Sequence, residues 1–350
     1  MPQSGRNYLY LTCRGTSNIS ILSRPTSPQF HVSRSPRSHR LAYARAAFSS
    51  AYASALRVLQ DSLDAINAAS VTEPLQERIA ELIELAHGMM SSAPSQAALY
   101  RWRRVHTDAS ITRAVLFLEG IAHVEAISSL DTAIIISGAA GNDRLNLIQS
   151  LIKDIQTRYS PAQPFTNQSN YPVRDGIAND HLESAAYQVP QLKSHPSLLT
   201  FQTKHLRQPF VLRDYATGWP ALQERPWHSA NYLRSVAGAG RVVPVEVGHD
   251  YRSDDWSQKL IPWDEFLSTL DFVDQPGSSN GDVMYLAQHN LFMQFPSLRA
   301  DIIVPDYVYA DLNSSDHTPP QNDEGLAINA WLGPRGTVSP AHTVRDVLRC

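Results

Sequence analysis

The chain has 350 residues, of which 43% are hydrophobic and 18% charged, and its net charge is −3. This composition is typical of a globular protein and excludes a largely disordered chain. The charge balance favours neither direct nucleic-acid binding nor an anionic membrane surface, and no apolar run approaches the roughly 20 residues of a membrane span. The length predicts two domains, and the two cysteines, Cys13 and Cys350, predict no disulfide framework.

Residues 1–40 predict a disordered basic tail rich in Ser and Arg. No acidic residue precedes Asp61, whereas eight arginines and eleven serines fall within the first 60 residues. A start of this kind is also typical of mitochondrial transit peptides. If these residues are a disordered tail, we expect the protein in the nucleus or cytoplasm; if they are a transit peptide, the mitochondrion is the alternative.

Residues 41–158 predict a helical domain. Apolar residues recur there at helical spacing, and each group predicts one buried helix face. The groups are Leu56, Leu59, Leu63 and Ile66, then Leu75, Ile79, Leu82, Ile83 and Ala86, then Ile148, Leu151, Ile152 and Ile155. Thr72 is a predicted N-cap. The glycines of 137–141 match no phosphate-binding pattern and predict a turn between helices.

Residues 159–188 predict a linker, since prolines are mixed there with Asn, Gln and Ser and no apolar period survives. From residue 189 to 350 the pattern changes to short apolar runs that predict strands. These runs are 210–212, 242–247, 283–286 and 327–331, with short helices predicted at 230–237 and 262–270. Strands with interspersed helices and no regular alternation predict a β-barrel or jelly roll. The predicted fold class is therefore α+β, with an all-α domain before the β-domain.

Sequence blocks in the second half resemble a known family. They are Pro209–Leu212 with Gly218–Pro220, Val243–Gly248, Asp255–Gln258, Tyr285–His289, Ile303–Tyr307 and Ile328–His342. Their order and spacing are similar to those of the JmjC-domain Fe(II)/2-oxoglutarate oxygenases, in the lysine demethylase 8 (arginyl hydroxylase) subfamily. The resemblance implies a cupin-like double-stranded β-helix that follows a helical domain.

The resemblance also implies a cofactor set and a substrate. In the family two His and one carboxylate hold Fe(II), which leaves positions open for 2-oxoglutarate and dioxygen. By resemblance His342 is the first iron ligand. The 2-oxoglutarate site contains, again by resemblance, Tyr285, Trp331 and Ser339. The substrate is contacted by Glu246 and Trp256, because a carboxylate and an aromatic face suit the cationic side chain of an arginine or lysine in a protein such as a histone.

The pattern departs from the family after His342. The metal carboxylate is expected two residues later, at a position that holds Val344, so the metal site predicted here is incomplete. We expect a C-terminally truncated cupin-like domain, which arises from a gene-model error or from a shortened isoform. Asp346 does not replace the carboxylate, because on a strand it lies about 13 Å from His342.

Two functions stay open at this point. The first is a 2-oxoglutarate-dependent protein hydroxylase or demethylase homologue that acts on basic side chains and is inactive in this truncated form. The second is a non-catalytic protein-interaction module built on the helical domain. The sequence alone does not choose between hydroxylation and demethylation.

Overall fold

A computed structural model describes residues 8–14, 16–17, 36–68, 73–160, 165, 189–205, 209–248, 256–277, 283–310, 317–318, 326–334 and 337, with side chains described from residue 50 onward except at 317–318. The first part of the chain is helical and the second is built on an antiparallel sheet, which confirms the predicted α+β class. No helix within these ranges is both long enough and apolar enough to cross a membrane.

The N-terminal part packs five helices against one another. They are α1 Pro36–Asn67, α2 Glu73–Ser91, α3 Gln96–Glu119, α4 His123–Ser137 and α5 Arg144–Tyr159. The hydroxyl of Ser95 caps α3 by accepting the Ala98 N–H. Gly138 ends α4 in the left-handed conformation, with φ of 61°. The glycines of 137–141 therefore form a turn between two helices, as predicted.

The predicted buried face of α1 is wrong by about one residue. Leu56 and Leu63 are 44% and 47% exposed, whereas Ala55 and Ser62 are 1% and 0% exposed and Leu59 is 7% exposed. The face is decided by how α1 packs against α2 and α3, and small side chains allow the closer approach. The α2 group is buried as predicted, and so are three of the four α5 residues. The predicted cap Thr72 lies outside the described residues.

The C-terminal part contains most of the strands. They are β3 Gln191–Leu192, β4 Val211–Leu212, β5 Val242–Val247, β6 Ser257–Pro262, β7 Met284–His289, β8 His317–Thr318 and β9 Ala327–Gly333. Two strands precede them in the chain, β1 Tyr8–Arg14 and β2 Thr16–Ser17. The predicted runs 242–247 and 327–331 thus coincide with β5 and most of β9.

Short helices connect these strands. They are α6 Leu198–Thr200, which continues into a π-helical turn at Phe201–His205, then α7 Ala230–Ala237, α8 Trp263–Ser268 and α9 Leu291–Gln294. Short 3₁₀ helices occur at Pro220–Leu222, Pro296–Asp301 and Asp306–Tyr309. As predicted, Ser229 caps α7 by accepting the Tyr232 N–H, and Gly238 ends that helix.

The main sheet has the strand order β1-β9-β7-β5-β6, and its neighbours are antiparallel. One face packs on the hydrophobic core with α7, α8 and α9. The β1 strand lies within the predicted tail, where composition did not indicate it, and pairs with β9 from Tyr8↔Gly333 to Arg14↔Ala327. The proposed division of the chain into domains stays a prediction.

Candidate functional site

The two faces of the sheet differ in chemistry. On β5, Val243, Val245 and Val247 are 0%, 2% and 3% exposed and lie in the core. Glu246 lies between two of them and is half-buried, because successive side chains on a strand point to opposite faces. The carboxylate therefore lies on the face away from the apolar core, as the sequence predicted.

Register brings a second predicted residue beside this carboxylate. Glu246 is directly opposite Tyr285 on β7 and Gln258 on β6. Residues directly opposite in an antiparallel pair share a face, so all three project from the same side of the sheet. We call this side the polar face, defined by Glu246, Gln258, Tyr285 and Trp331.

The β9 strand completes the polar face. Leu286 pairs with Leu332, and both face the core, so Trp331 and Gly333 lie on the opposite side with Tyr285. A Cβ on Gly333 would lie 2.7 Å from Cδ2 of Tyr285, which shows that the phenol ring packs against the bare backbone there. Glycine at 333 is required for that close approach.

Trp256 lies immediately before β6. Its indole Nε1 is buried and makes no hydrogen bond of good geometry within the described residues. Burial raises the pKa of the Glu246 carboxyl, and the nearby indole N–H of Trp256 lowers it by a smaller amount. The indole N–H thus approaches the Glu246 carboxylate with imperfect hydrogen-bond geometry, and the two side chains form a half-buried polar pair.

The other predicted residues cannot be placed. Ser339 and His342 lie outside the described residues, as does Val344. Within the described ranges no group of three or more His, Cys, Asp or Glu side chains is arranged to hold a metal ion. The described residues therefore do not make up an iron site, and we derive no chemical step through a metal. What they do provide is a half-buried carboxylate on a sheet face that also carries aromatic side chains.

A cleft of about 130 Å³ lies away from the polar face, where the turn after α7 meets the first turn of α4. It is lined by Val124, Gly238, Gly240, Arg241, Val242, Pro262, Trp263 and Asp264. Ligand pockets are usually about 300–1,000 Å³, so this cleft is too small to compete with the polar face as a substrate site.

Comparison with known proteins places the chain in a family. Residues 199–346 match the sequence model of a family described as a cupin-like domain. The lysine-specific demethylase 8 of Danio rerio is 30% identical over 306 residues, which are 83% of this chain and 70% of that protein. The chain belongs to the JmjC oxygenase and demethylase family. JmjC homologues generally depend on Fe(II) and 2-oxoglutarate.

Two further JmjC relatives match a shorter part of the chain. The Jumonji C domain-containing protein 5 of Drosophila melanogaster is 46% identical over 156 residues, or 44% of this chain and 36% of that protein. The JmjC domain-containing protein D of Dictyostelium discoideum is 38% identical over 157 residues, or 44% of this chain and 35% of that protein. The chain thus spans about a third of the length of these two relatives.

Sequence reasoning did not single out one residue of the polar face. Gln258 occupies the position opposite Glu246 on the other edge of β5, so its amide stands beside the carboxylate on the polar face. Gln258 occurs in the family-like block 255–258, but only strand register shows that it faces Glu246. Strand register cannot be read from that block alone, because it depends on pairing with β5.

Proposed function

We propose that this JmjC chain is a homologue of the 2-oxoglutarate-dependent protein hydroxylases and demethylases, and that its polar face binds a basic side chain of a protein. The observation that carries the proposal is the half-buried carboxylate of Glu246 beside the indole of Trp256. A guanidinium or ammonium group gains a charge-assisted hydrogen bond from such a carboxylate and a favourable contact with an aromatic face.

A lysine or arginine side chain fits this chemistry better than an acidic or neutral one. Two relatives, from zebrafish and Xenopus tropicalis, carry the name lysine-specific demethylase 8, which favours a protein substrate. The phenol of Tyr285 stands opposite Glu246, and the indole of Trp331 lies on the same face of the sheet, on the strand beyond β7. By resemblance we assign these two groups, with Ser339, to 2-oxoglutarate binding.

We further propose that this chain recognises the basic side chain without turning it over. Val344 stands where the family pattern places the carboxylate that holds the metal, and an alkyl side chain donates no lone pair to Fe(II).

Peptide calorimetry tests the recognition step. An acetylated pentapeptide with a central arginine is expected to bind the 350-residue protein, and the same peptide with norleucine is expected to bind at least tenfold more weakly. The variant Glu246→Gln removes the charge and keeps the shape, so arginine affinity should fall by roughly tenfold or more, as for a lost charge-assisted hydrogen bond. Glu265→Gln on the exposed side of α8 is the matched control and should leave affinity unchanged.

Two results would count against the proposal. Equal binding of the arginine and norleucine peptides would remove the assigned role of Glu246. Succinate formation from 2-oxoglutarate with the arginine peptide would show turnover and refute the proposal that the chain binds the side chain without catalysis.

The binding should also depend on pH. As pH falls, the arginine peptide should begin to bind more weakly at a higher pH than it would with an ordinary glutamate, because the pKa of Glu246 is raised and the protonated acid no longer attracts a cation.

A further inference from the structure

The helical region is joined to the sheet by a buried ion pair. Asp131 on α4 accepts two hydrogen bonds from the Arg241 guanidinium, at 2.8 Å from Nε and 2.7 Å from Nη2. The Asp131 side chain is 0% exposed and that of Arg241 is 6% exposed. Asp131 also accepts the backbone N–H of Val242 at 2.9 Å. One carboxylate from the helical region thus holds both the side chain before β5 and the first amide of that strand.

The contacts continue from Arg241 to the end of β7. Arg241 Nη2 donates to the Gln294 carbonyl at 2.8 Å, and the Gln294 side-chain amide donates to the Val242 carbonyl at 2.6 Å. That leaves the Gln294 Oε1 to accept from His289 Nε2 at 2.8 Å. Asp131, Arg241, Gln294 and His289 are thus connected by a continuous series of hydrogen bonds; we call this set the junction network.

The junction network holds the strands that carry the polar face. Val242 begins β5 and Glu246 follows four residues later, while His289 ends β7 and Tyr285 precedes it by four. The β7 strand is irregular between these points, since its register against β9 shifts between Leu286 and His289 and Gln288 has φ of 50°. A bulge bends a strand and changes the direction of its side chains, so the contacts at Val242 and His289 constrain how β5 and β7, and with them Glu246 and Tyr285, lie relative to each other.

A second contact supports the same end of β5. On α5, Gln156 donates to the carbonyls of Ala237 and Ala239 at 3.0 and 2.8 Å. The turn between them passes so close that a Cβ on Gly238 would lie 2.5 Å from Gln156 Nε2. On the same helix Gln149 donates to the Met293 carbonyl at 2.9 Å, just before Gln294. Helix α4 therefore contacts the start of β5 through Asp131, and α5 contacts the preceding turn and α9 through Gln156 and Gln149.

We infer that Asp131 is a positioning residue for the polar face, acting through Arg241 and Val242 on β5 and through Gln294 and His289 on β7. The inference rests on the proposed function, because it assigns the helical region a part in the binding site. In this role α4 supports the binding site from within the fold, whereas a helical domain that only recruited partners would be separable from the site. Asp131 touches no substrate; it determines where Glu246 and Tyr285 stand.

Fluorine NMR of the full chain labelled with 5-fluorotryptophan tests this directly, with each signal assigned by Trp→Phe variants. Asp131→Asn is expected to shift the Trp256 and Trp331 signals and to weaken binding of N-acetylarginine amide about five- to tenfold, a typical size for coupling through a packed network. The matched control is Asp108→Asn, which breaks an ion pair inside the helical region, where Asp108 lies 2.6 Å from Arg144. The control should leave both signals and affinity unchanged.

The outcomes separate the two proposals. If the wild-type protein does not bind N-acetylarginine amide, the proposed function fails, while the Trp256 and Trp331 signals still report positioning. If the wild-type protein binds and folded Asp131→Asn matches it in signals and affinity, the positioning role is wrong. Should Asp131→Asn unfold, Asp131→Asn/Arg241→Gln removes both charges together, which is tolerated better than one buried charge left alone. That double variant should show the same shifts, and wild-type signals in it would overturn the inference.

Discussion

Acid should destabilise the helical region through one buried imidazole. His106 on α3 is 1% exposed, and its Nδ1 lies 3.2 Å from the hydroxyl of Ser137 at the end of α4. Burial, with smaller contributions from the nearby charges of His87 and Arg113, lowers the pKa of His106 to about 4. The ring is therefore neutral in the folded protein at neutral pH, and protonating it places an unpaired charge inside the bundle.

The size and sign of the effect follow from the two protonation states. The unfolded chain binds the proton with a pKa near 6.5, whereas the folded chain does so near 4. Stability from this group is therefore fully present above pH 6.5 and is lost as pH falls from 6.5 towards 4. Each unit of pKa difference is worth about 1.4 kcal/mol, so the unfolding free energy should drop by about 2.5 kcal/mol between pH 7.5 and 4.5.

Urea unfolding at pH 7.5 and 4.5 measures this drop in the wild type and in His106→Asn, whose amide can approach Ser137 from the position of Nδ1. The variant is expected to be less stable at pH 7.5, because a smaller side chain leaves space in the core. Its loss on acidification should nevertheless be smaller than the wild-type loss by about 2.5 kcal/mol. His106→Gln should show the same reduced loss of stability on acidification. An acid-induced loss that is the same in all three proteins would refute the assignment to His106.

Two further predictions concern the metal and a glycine. Anaerobic titration of the 350-residue protein with Fe(II), or with Mn(II) as a surrogate, is expected to show no stoichiometric site, because Val344 stands in place of a carboxylate ligand; one tight site abolished by His342→Ala would contradict this. Gly238→Ala should lower the unfolding free energy by roughly 1–3 kcal/mol, since φ is 71° and the new Cβ would meet Gln156 at 2.5 Å. Its control, Gly88→Ala inside α2, meets nothing within 4 Å and should raise the unfolding free energy by about 0.5–1 kcal/mol; equal effects of the two changes would show that the contact with Gln156 is not restrictive.

Local sequence patterns predicted the elements that carry the polar face. Alternating valines around Glu246 predicted β5 and the side on which the carboxylate lies, and Ser229 with Gly238 predicted both ends of α7. These features depend on neighbours a few residues apart, so periodicity and capping are sufficient to find them. Ordered motifs from Pro209 to His342 also indicated the JmjC family, which the comparisons confirm.

Longer-range features needed the tertiary structure. Ala55 and Ser62, in contrast to Leu56 and Leu63, are buried on α1 because the packing of α2 and α3 decides which side of an apolar helix is covered. Asp131 and Arg241 are 110 positions apart, and the residues around each of them do not indicate that the two side chains form an ion pair. The bulge in β7 and the closeness of Gln258 to Glu246 depend on strand register. The sequence by itself therefore determined the family, the elements and the candidate residues. Only the packing of helices against the sheet decided which of those residues meet, because buried polar groups must find partners wherever the fold brings them together.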